Sequence, residues 1–552
     1  MIDPKRFGAD ESGTVSYFGM LLMVAAALLS GLGMEVMRIE RQRLALQAEV
    51  DDCVLVAATQ RQSLTPQVAF TDCMDNAGLA DPASQFTLDP LTGRISATSG
   101  KTVDTVFMDS LGIDQVDLKA TSGATEPILR VEIALVLESS AAMAGARMTA
   151  MKAAAQHFAK TLLESDETGN VQITLVPYGG QVNLGDTLAR RFSVTDLPAA
   201  DSGALPELVR CLDLPDSAYR SATPALIGLS LPATANADAT SPTLSNGSYV
   251  TPTDTAPTTG ATPVAEAMLC PATTTNQVRL PNFGADLSAV ATAAGRVAFL
   301  QGLIGDLQPL GGSARHMALR WALALYDPSM VKSYKSFVKS GLMHSIANGV
   351  PLDFGNPAAL KIVVLLGHGP ATTDIQVLSS ANGNFRSGTA SSMSPIWRAA
   401  DGNYSILHPV RPADVDYYVP HLHQWLPDPW TSGGTAATQL TWRQVWAALR
   451  MSYVAYQFYG RPGVISPQGA LAPIRTTVPP SDTTRQFAEA CAMARANKVV
   501  VYTIAYEAAA QDAAALANCA TTPSRHYVAT RDTLDAAMAT VAGNIAKLRV
   551  RQ

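Results

Sequence analysis

The sequence predicts an α/β fold: a doubly wound, mainly parallel sheet carrying two long insertions, preceded by one transmembrane helix, a helical stalk and a small β unit. Three observations lead there. Residues 13–34 contain no charged side chain. The rest of the 552-residue chain has globular composition, the whole being 47% hydrophobic and 16% charged. From about residue 126, apolar strand-like runs alternate with runs of helical period, the pattern of a parallel sheet with crossover helices.

Residues 1–12 read as a cytoplasmic tail and 13–37 as the anchor. At about 1.5 Å per helical residue, the uncharged stretch covers the roughly 30 Å of a bilayer's hydrocarbon. A cleaved signal has a shorter apolar core, about 7–15 residues, so although Gly31-Leu32-Gly33 offers a small-x-small site, length favours an uncleaved anchor. Lys5 and Arg6 before it and Arg38, Arg41 and Arg43 after it orient it poorly. The cysteines decide better. All six follow the anchor, none in C-x-x-C spacing, which fits disulfides in an oxidising compartment. Six cysteines allow fifteen pairings. Sequence neighbours suggest Cys491 with Cys519, flanking an apolar strand, then Cys211 with Cys270 and Cys53 with Cys73. A net charge of −6 gives no basic footprint, so nucleic acid is not an expected partner.

The stalk, 38–62, follows from Leu46, Val50, Cys53, Val54 and Ala57 at helical spacing, with Glu49, Asp51 and Asp52 off that stripe. Residues 63–125 form the small β unit, read from short alternating runs such as Phe86-Thr87-Leu88 and Arg94-Ile95-Ser96-Ala97 between Pro90, Gly93 and Gly100. The α/β domain, 126–552, has strands at 128–137, 171–176, 360–366 and 499–504. Helical patterns run through Met148, Met151, Ala155, Phe158 and Leu162, through 316–325 and through 487–496.

Insertions at about 188–296 and 371–482 interrupt it. The first contains a Thr/Pro/Ala-rich run, 232–263, too poor in apolar surface to order itself well; Asn246-Gly247-Ser248 within it matches a glycosylation sequon, a pattern common by chance. The second holds Trp397, Trp425, Trp430, Trp442 and Trp446, with Tyr404, Tyr417 and Tyr418. These predict a small core of its own in preference to a partner-binding surface.

Leu137-Glu138-Ser139-Ser140-Ala141-Ala142-Met143 after the first strand resembles the opening of a von Willebrand factor A domain, whose D-x-S-x-S motif holds a divalent cation at the carboxyl edge of the sheet. Gly311-Gly312-Ser313 resembles the loop that brings a third hydroxyl, and Leu365-Leu366-Gly367-His368-Gly369 sits where that family ends a strand in T-D-G. The resemblance implies a cation site at Glu138, Ser140, Ser313 and His368, but a degenerate one. Glu138 replaces Asp, Ala142 replaces the second Ser, and His368 replaces the later Asp. Mg²⁺ demands near-octahedral oxygen ligation at about 2.0–2.1 Å, which the longer Glu138 and the ligandless Ala142 disfavour, while an imidazole suits a softer metal. No cofactor is expected; Mg²⁺ or another divalent cation would bind only if the site is active.

The wider pattern is similar to the TadG family of the Flp/Tad (tight adherence) pilus assembly machinery. It consists of the anchor, Leu46-Gln47-Ala48, Leu55-Val56-Ala57-Ala58, Val176-Pro177-Tyr178, Val182-Asn183, Arg320-Trp321, Cys491, Tyr502-Thr503-Ile504-Ala505, Cys519-Ala520 and Leu548-Arg549. That resemblance implies a single-pass protein of the bacterial inner membrane with its body in the periplasm, partnered by Tad pilus assembly proteins or pilin-like subunits. Counting from Thr14, the fifth residue is Phe18, where related minor pilins carry Glu, which argues against prepilin processing.

Other chemistries are weaker. Ser139 or Ser140 with His368 and Asp374 can be drawn as a hydrolase triad, but no G-x-S-x-G elbow accompanies them, so no enzyme is expected. His421 and His423 lack an evident third metal ligand. Glu35 reads as an interfacial residue beside Arg38 in preference to an intramembrane contact. The reading is a membrane-anchored structural component of pilus assembly, with a metal-dependent surface adhesin as the alternative and a serine hydrolase behind it.

Overall fold

A computed structural model of the chain describes residues 13–58, 66–79, 84–88, 95–109, 112–124, 130–164, 166, 169–195, 209–238, 261–264, 267–271, 274–356, 359–370, 374–380, 383–386, 393–409 and 415–550. The tail 1–12, the end of the stalk, the greater part of the Thr/Pro/Ala-rich run and the sequon lie outside them. The chain forms two compact units, one up to Leu129 with Ala546–Gln552, the other Arg130–Ile545.

In the first unit, the anchor and stalk are one helix, α1 (Gly13–Ala57). It is followed by α2 (Pro66–Asn76) and an antiparallel sheet of β1 (Gln85–Leu88), β2 (Ile95–Asp104) and β3 (Gln115–Ala124), in that order. The stripe Ile39, Leu46, Val50, Cys53, Val54 and Ala57 is buried, in one core with Phe70, Ile95, Ala97, Leu118 and Ala120. Spacings of three, four and seven keep these side chains on one helix face, and alternation along β2 and β3 turns one sheet face toward them. Cys53 is bonded to Cys73 of α2. The N-terminal half of α1 has no such cover: Tyr17, Met23 and Leu29 are each at least 70% exposed. By length and composition this helix can cross a membrane.

In the second unit, the strands are β4 (Arg130–Glu138), β5 (Val171–Tyr178) and β6 (Ala359–Gly367), with α3 (Ala146–Leu163), α4 (Ala293–Gly305) and α5 (Arg315–Leu325) between them. β4 and β6 are apolar almost throughout because they are buried on both faces, as parallel strands under helices must be. One polar pair crosses them: Glu132 and Lys361 are register partners, 2.6 Å apart and buried. α5 is the larger surprise. The sequence shows a helical pattern over 316–325, and all eleven residues of the helix are buried, because part of the first insertion and the later segment Pro480–Ala496 both pack on it. Arg320 of α5 donates to the carbonyls of Ala218 and Pro224, each at 2.7 Å.

The second insertion builds an antiparallel sheet from β7 (Met393–Arg398), β8 (Tyr404–Leu407), β9 (Tyr417–Val419), β10 (Gln424–Leu426) and β11 (Thr438–Thr441), in the order β10-β9-β8-β7-β11. Trp442 and Trp446, on α6 (Trp442–Ala448), stack at 5.1 Å in its core. That core is not the insertion's own: Ala235, Ala237, Ala261 and Leu269 of the first insertion belong to it. The chain then continues through α7 (Pro480–Ala496), β12 (Val500–Tyr506), α8 (Ala510–Cys519), β13 (His526–Ala529) and α9 (Leu534–Val550). The main sheet is β13-β12-β6-β4-β5, all parallel. From β4 the chain steps one way to β5, then returns across β4 to β6, β12 and β13. The carboxyl ends of β4 and β6 therefore flank the point where the winding reverses, where open α/β sheets place their binding crevices.

Candidate functional site

Glu138 closes β4 at that reversal point and is fully buried. Its Oε1 accepts from Ser140 Oγ at 2.6 Å and from the Gly369 N–H at 3.1 Å. Its Oε2 accepts from the His368 N–H at 2.7 Å, the Gly369 N–H at 3.1 Å and the Tyr178 hydroxyl at 3.1 Å. Four donors from three segments thus surround one carboxylate. Such a set matches a negative charge and satisfies it without water.

Each donor has a local cause. Tyr178 ends β5, the register partner of Glu138 on the next strand. His368 and Gly369 turn out of β6 with their N–H groups free of the ladder. Gly369 is required there: a Cβ would stand 2.8 Å from Glu138 Oε1 and 3.0 Å from Ser313 Cβ. The Gly311-Gly312-Ser313 loop lies alongside, Gly311 at φ 72° and its carbonyl accepting from Ala141 N–H at 2.9 Å. Ser313 is buried and interacts with the Tyr178 hydroxyl. Burial first, and the Glu138 carboxylate second, push that hydroxyl well above its ordinary range, so it stays a donor.

Of the residues singled out in the sequence, Glu138, Ser140, Ser313 and the His368 backbone meet. The His368 imidazole does not join them, since its Nδ1 faces the Tyr506 carbonyl at 2.9 Å. The drawn triad is not assembled: Ser139 Oγ donates to the Tyr178 carbonyl, Ser140 Oγ to Glu138, and Asp374 accepts from Gln376. His421 packs on the Trp430 ring, and His423 Nδ1 faces Arg461 at 3.5 Å. Among the described residues no three His, Cys, Asp or Glu side chains cluster as a metal site. Tyr178 and Gly369 were invisible as site residues, one being a strand end and the other contributing only its backbone.

Glu35 lies beside Arg38, as the sequence suggests, but its side chain is not an exposed one. It is buried, at 3% exposure, and accepts from the N–H groups of Val106, Phe107 and Met108, the last two at 2.7 Å, with Arg38 at 3.3 Å. The sulfurs of Cys53 and Cys73, Cys211 and Cys270, and Cys491 and Cys519 are bonded, leaving no free cysteine.

No protein-family profile matches the chain, and no curated protein does. Among solved structures it is similar to the von Willebrand factor domain of the type V pilus tip protein Mfa5 of Porphyromonas gingivalis, at 14% identity over 76% of this chain and 96% of that one, with a TM-score of 0.29. It is similar also to the pilus adhesin SpaC of Lactobacillus rhamnosus GG, at 10% identity, 84% of this chain and TM-score 0.29, the match spanning only 33% of SpaC. A variant of the PilB minor pilin of Streptococcus sanguinis matches at 11% identity over 84% of this chain and 77% of that one, with a TM-score of 0.28. Scores at this level do not establish a common fold.

Proposed function

We propose that this chain is a membrane-anchored structural component of pilus assembly, of the TadG type, working through protein–protein contacts. Its second unit is a von Willebrand factor A-like, doubly wound domain whose cation position is filled by the protein. The observation that carries the reading is the Glu138 carboxylate. The side chain that would coordinate a cation instead accepts four protein donors, two of them backbone N–H groups that cannot turn away. A divalent cation at that carboxylate would have to displace or face these donors, so the residues present do not fit Mg²⁺. Ala142 supplies no ligand, and His368 turns its ring nitrogen elsewhere. Among the described residues no reacting constellation remains at the sheet edge, and the reading therefore assigns function to surfaces and attachment. The exposed apolar half of α1 supports the inner-membrane anchor, and three disulfides support a periplasmic body.

The test compares two variants in a pilus-bearing host. Removing residues 1–37 while redirecting the body to the periplasm is expected to abolish pilus assembly and adherence. Ser140→Ala with Ser313→Ala is expected to leave both nearly intact. The reverse ranking, with both proteins folded and equally abundant, would overturn the structural reading in favour of a metal-dependent adhesin.

A further inference from the structure

We infer that the turn between β2 and β3 is a second membrane contact, its Val106 and Ile113 side chains seated in the lipid interface beside the point where α1 enters the bilayer. The inference rests on the anchor reading of α1 and adds a lipid-binding surface to it.

Length places the turn. Residues 13–30 of α1 rise about 27 Å, close to the roughly 30 Å of hydrocarbon. Gly31 is the first buried residue among those whose side chains are described on the helix, so the membrane surface falls at Gly31–Glu35 once the bare half is immersed. The turn sits at that level. The Phe107 ring occupies the space that a Cβ on Gly31 would fill, and the Glu35 carboxylate holds Val106, Phe107 and Met108 by their N–H groups. Beside this attachment Val106 is 66% and Ile113 47% exposed. Both side chains and the bare half of α1 present apolar surface for which water is a poor solvent.

The backbone is prepared for the same environment. Polar main-chain groups are costly in lipid unless satisfied internally. Besides the three bonds to Glu35, Thr105 N–H donates to the Asp114 carbonyl at 2.9 Å, Gly112 N–H to Asp109 at 2.9 Å and Ile113 N–H to Met108 at 3.1 Å. The Thr105 hydroxyl donates to the Ile113 carbonyl. Every described N–H from 105 to 108, and those of 112 and 113, is therefore engaged. Depth is limited by Asp104, Asp109 and Asp114, which flank the apolar side chains and hold them at the headgroup boundary, about 5–10 Å from water at most.

Nitroxide labels on Val106→Cys, Ile113→Cys, Leu21→Cys and Thr121→Cys, each in the full chain reconstituted into phosphatidylethanolamine/phosphatidylglycerol vesicles, test this by collision with oxygen and with a water-soluble nickel chelate. Thr121 is exposed and lies about 20 Å along β3 from the turn. The expected oxygen-to-nickel ratio at Val106 and Ile113 is severalfold above that at Thr121 and below that at Leu21. Ratios at Val106 and Ile113 equal to that at Thr121, with Leu21 still shielded from nickel, would overturn the inference and spare the anchor. Nickel access at Leu21 would overturn the anchor reading and this inference with it.

Discussion

Replacing Glu138 by Gln keeps the shape of the side chain and removes its charge, which isolates what the carboxylate contributes at the end of β4. Both carboxylate oxygens face donors, whereas an amide has one oxygen to offer. With that oxygen in the place of Oε2, facing His368 N–H, the amide nitrogen takes the place of Oε1 at 3.1 Å from the fixed N–H of Gly369, which keeps its Oε2 acceptor but now meets a second donor, although Ser140 can rotate its hydroxyl to accept. One clash between buried donors costs about 1–3 kcal/mol, and weakening of the bonds that lose charge assistance adds about 1 kcal/mol. The expected loss is therefore about 2–4 kcal/mol at pH 7. Urea unfolding of the full chain in detergent, without reductant, reads it. All six tryptophans lie between 321 and 446, so their fluorescence reports the second unit alone. A loss below about 0.5 kcal/mol, the range of indifferent surface changes, would mean that the donors are not organised around a charge. The same titration carries a second arm. Wild type is expected to show no response to millimolar Mg²⁺, whereas a ligand at one hundred times its dissociation constant adds about 2.7 kcal/mol. A saturable gain that Ser140→Ala abolishes would refute the reasoning from the other side.

Asp374 supplies a pH dependence. Burial first, and the nearby Asp213 carboxylate second, push it up to about 7. Free Asp titrates near 3.9, so the folded chain binds the extra proton; the stabilisation is complete below about pH 4 and is lost as pH rises through 7. Asp374→Asn should flatten the stability profile across that window and exceed wild type at pH 8, by at most about 4 kcal/mol; parallel profiles in urea titrations from pH 4 to 8 would refute it. Replacing Cys491 and Cys519 together by Ala opens a loop of 28 residues and should cost about 3.5 kcal/mol in the chain-entropy model. Free thiols at these positions in the unreduced protein, or an unchanged urea midpoint, would contradict that.

The parts of the fold legible in the sequence are those where burial repeats at a fixed period. The stripe on α1 is one, and the apolar runs of β4, β5, β6 and β12 are others. β13 escaped because it is four residues long at an edge, pairs only with β12 and leaves Val528 exposed, so it lacks a two-sided apolar run. α5 was legible as a helix but not as a wholly buried one. Arg320 and His316 are desolvated by a segment about a hundred residues earlier, and Arg315 pairs with Asp512 and lies over the Phe487 ring, far later in the chain. Burial lowers the His316 imidazole to about 3, keeping it neutral inside the core. The shared core of the two insertions was hidden for the same reason, since contacts between Ala235 or Leu269 and the Trp-rich sheet leave no local period.

Both glutamates that the sequence left ambiguous resolve by one device. Glu35 and Glu138 are read from sequence as possible contacts to a helix or a cation because their side chains are the only visible functional groups. In the folded chain each takes backbone N–H groups from a turn far along the sequence: three from 106–108 for Glu35, two from 368–369 for Glu138. Any residue can supply such a donor, so no motif records it. At β4 the consequence is mechanical. A carboxylate bonded to the turn after β6 ties that turn to the end of the neighbouring strand, at the crevice where a mobile, ligand-responsive loop would otherwise be free to move. At α1 it ties the β2–β3 turn to the helix where the helix leaves its sheet. In each place a charge that is buried, satisfied by protein donors and costly to break fixes a turn to the element beside it.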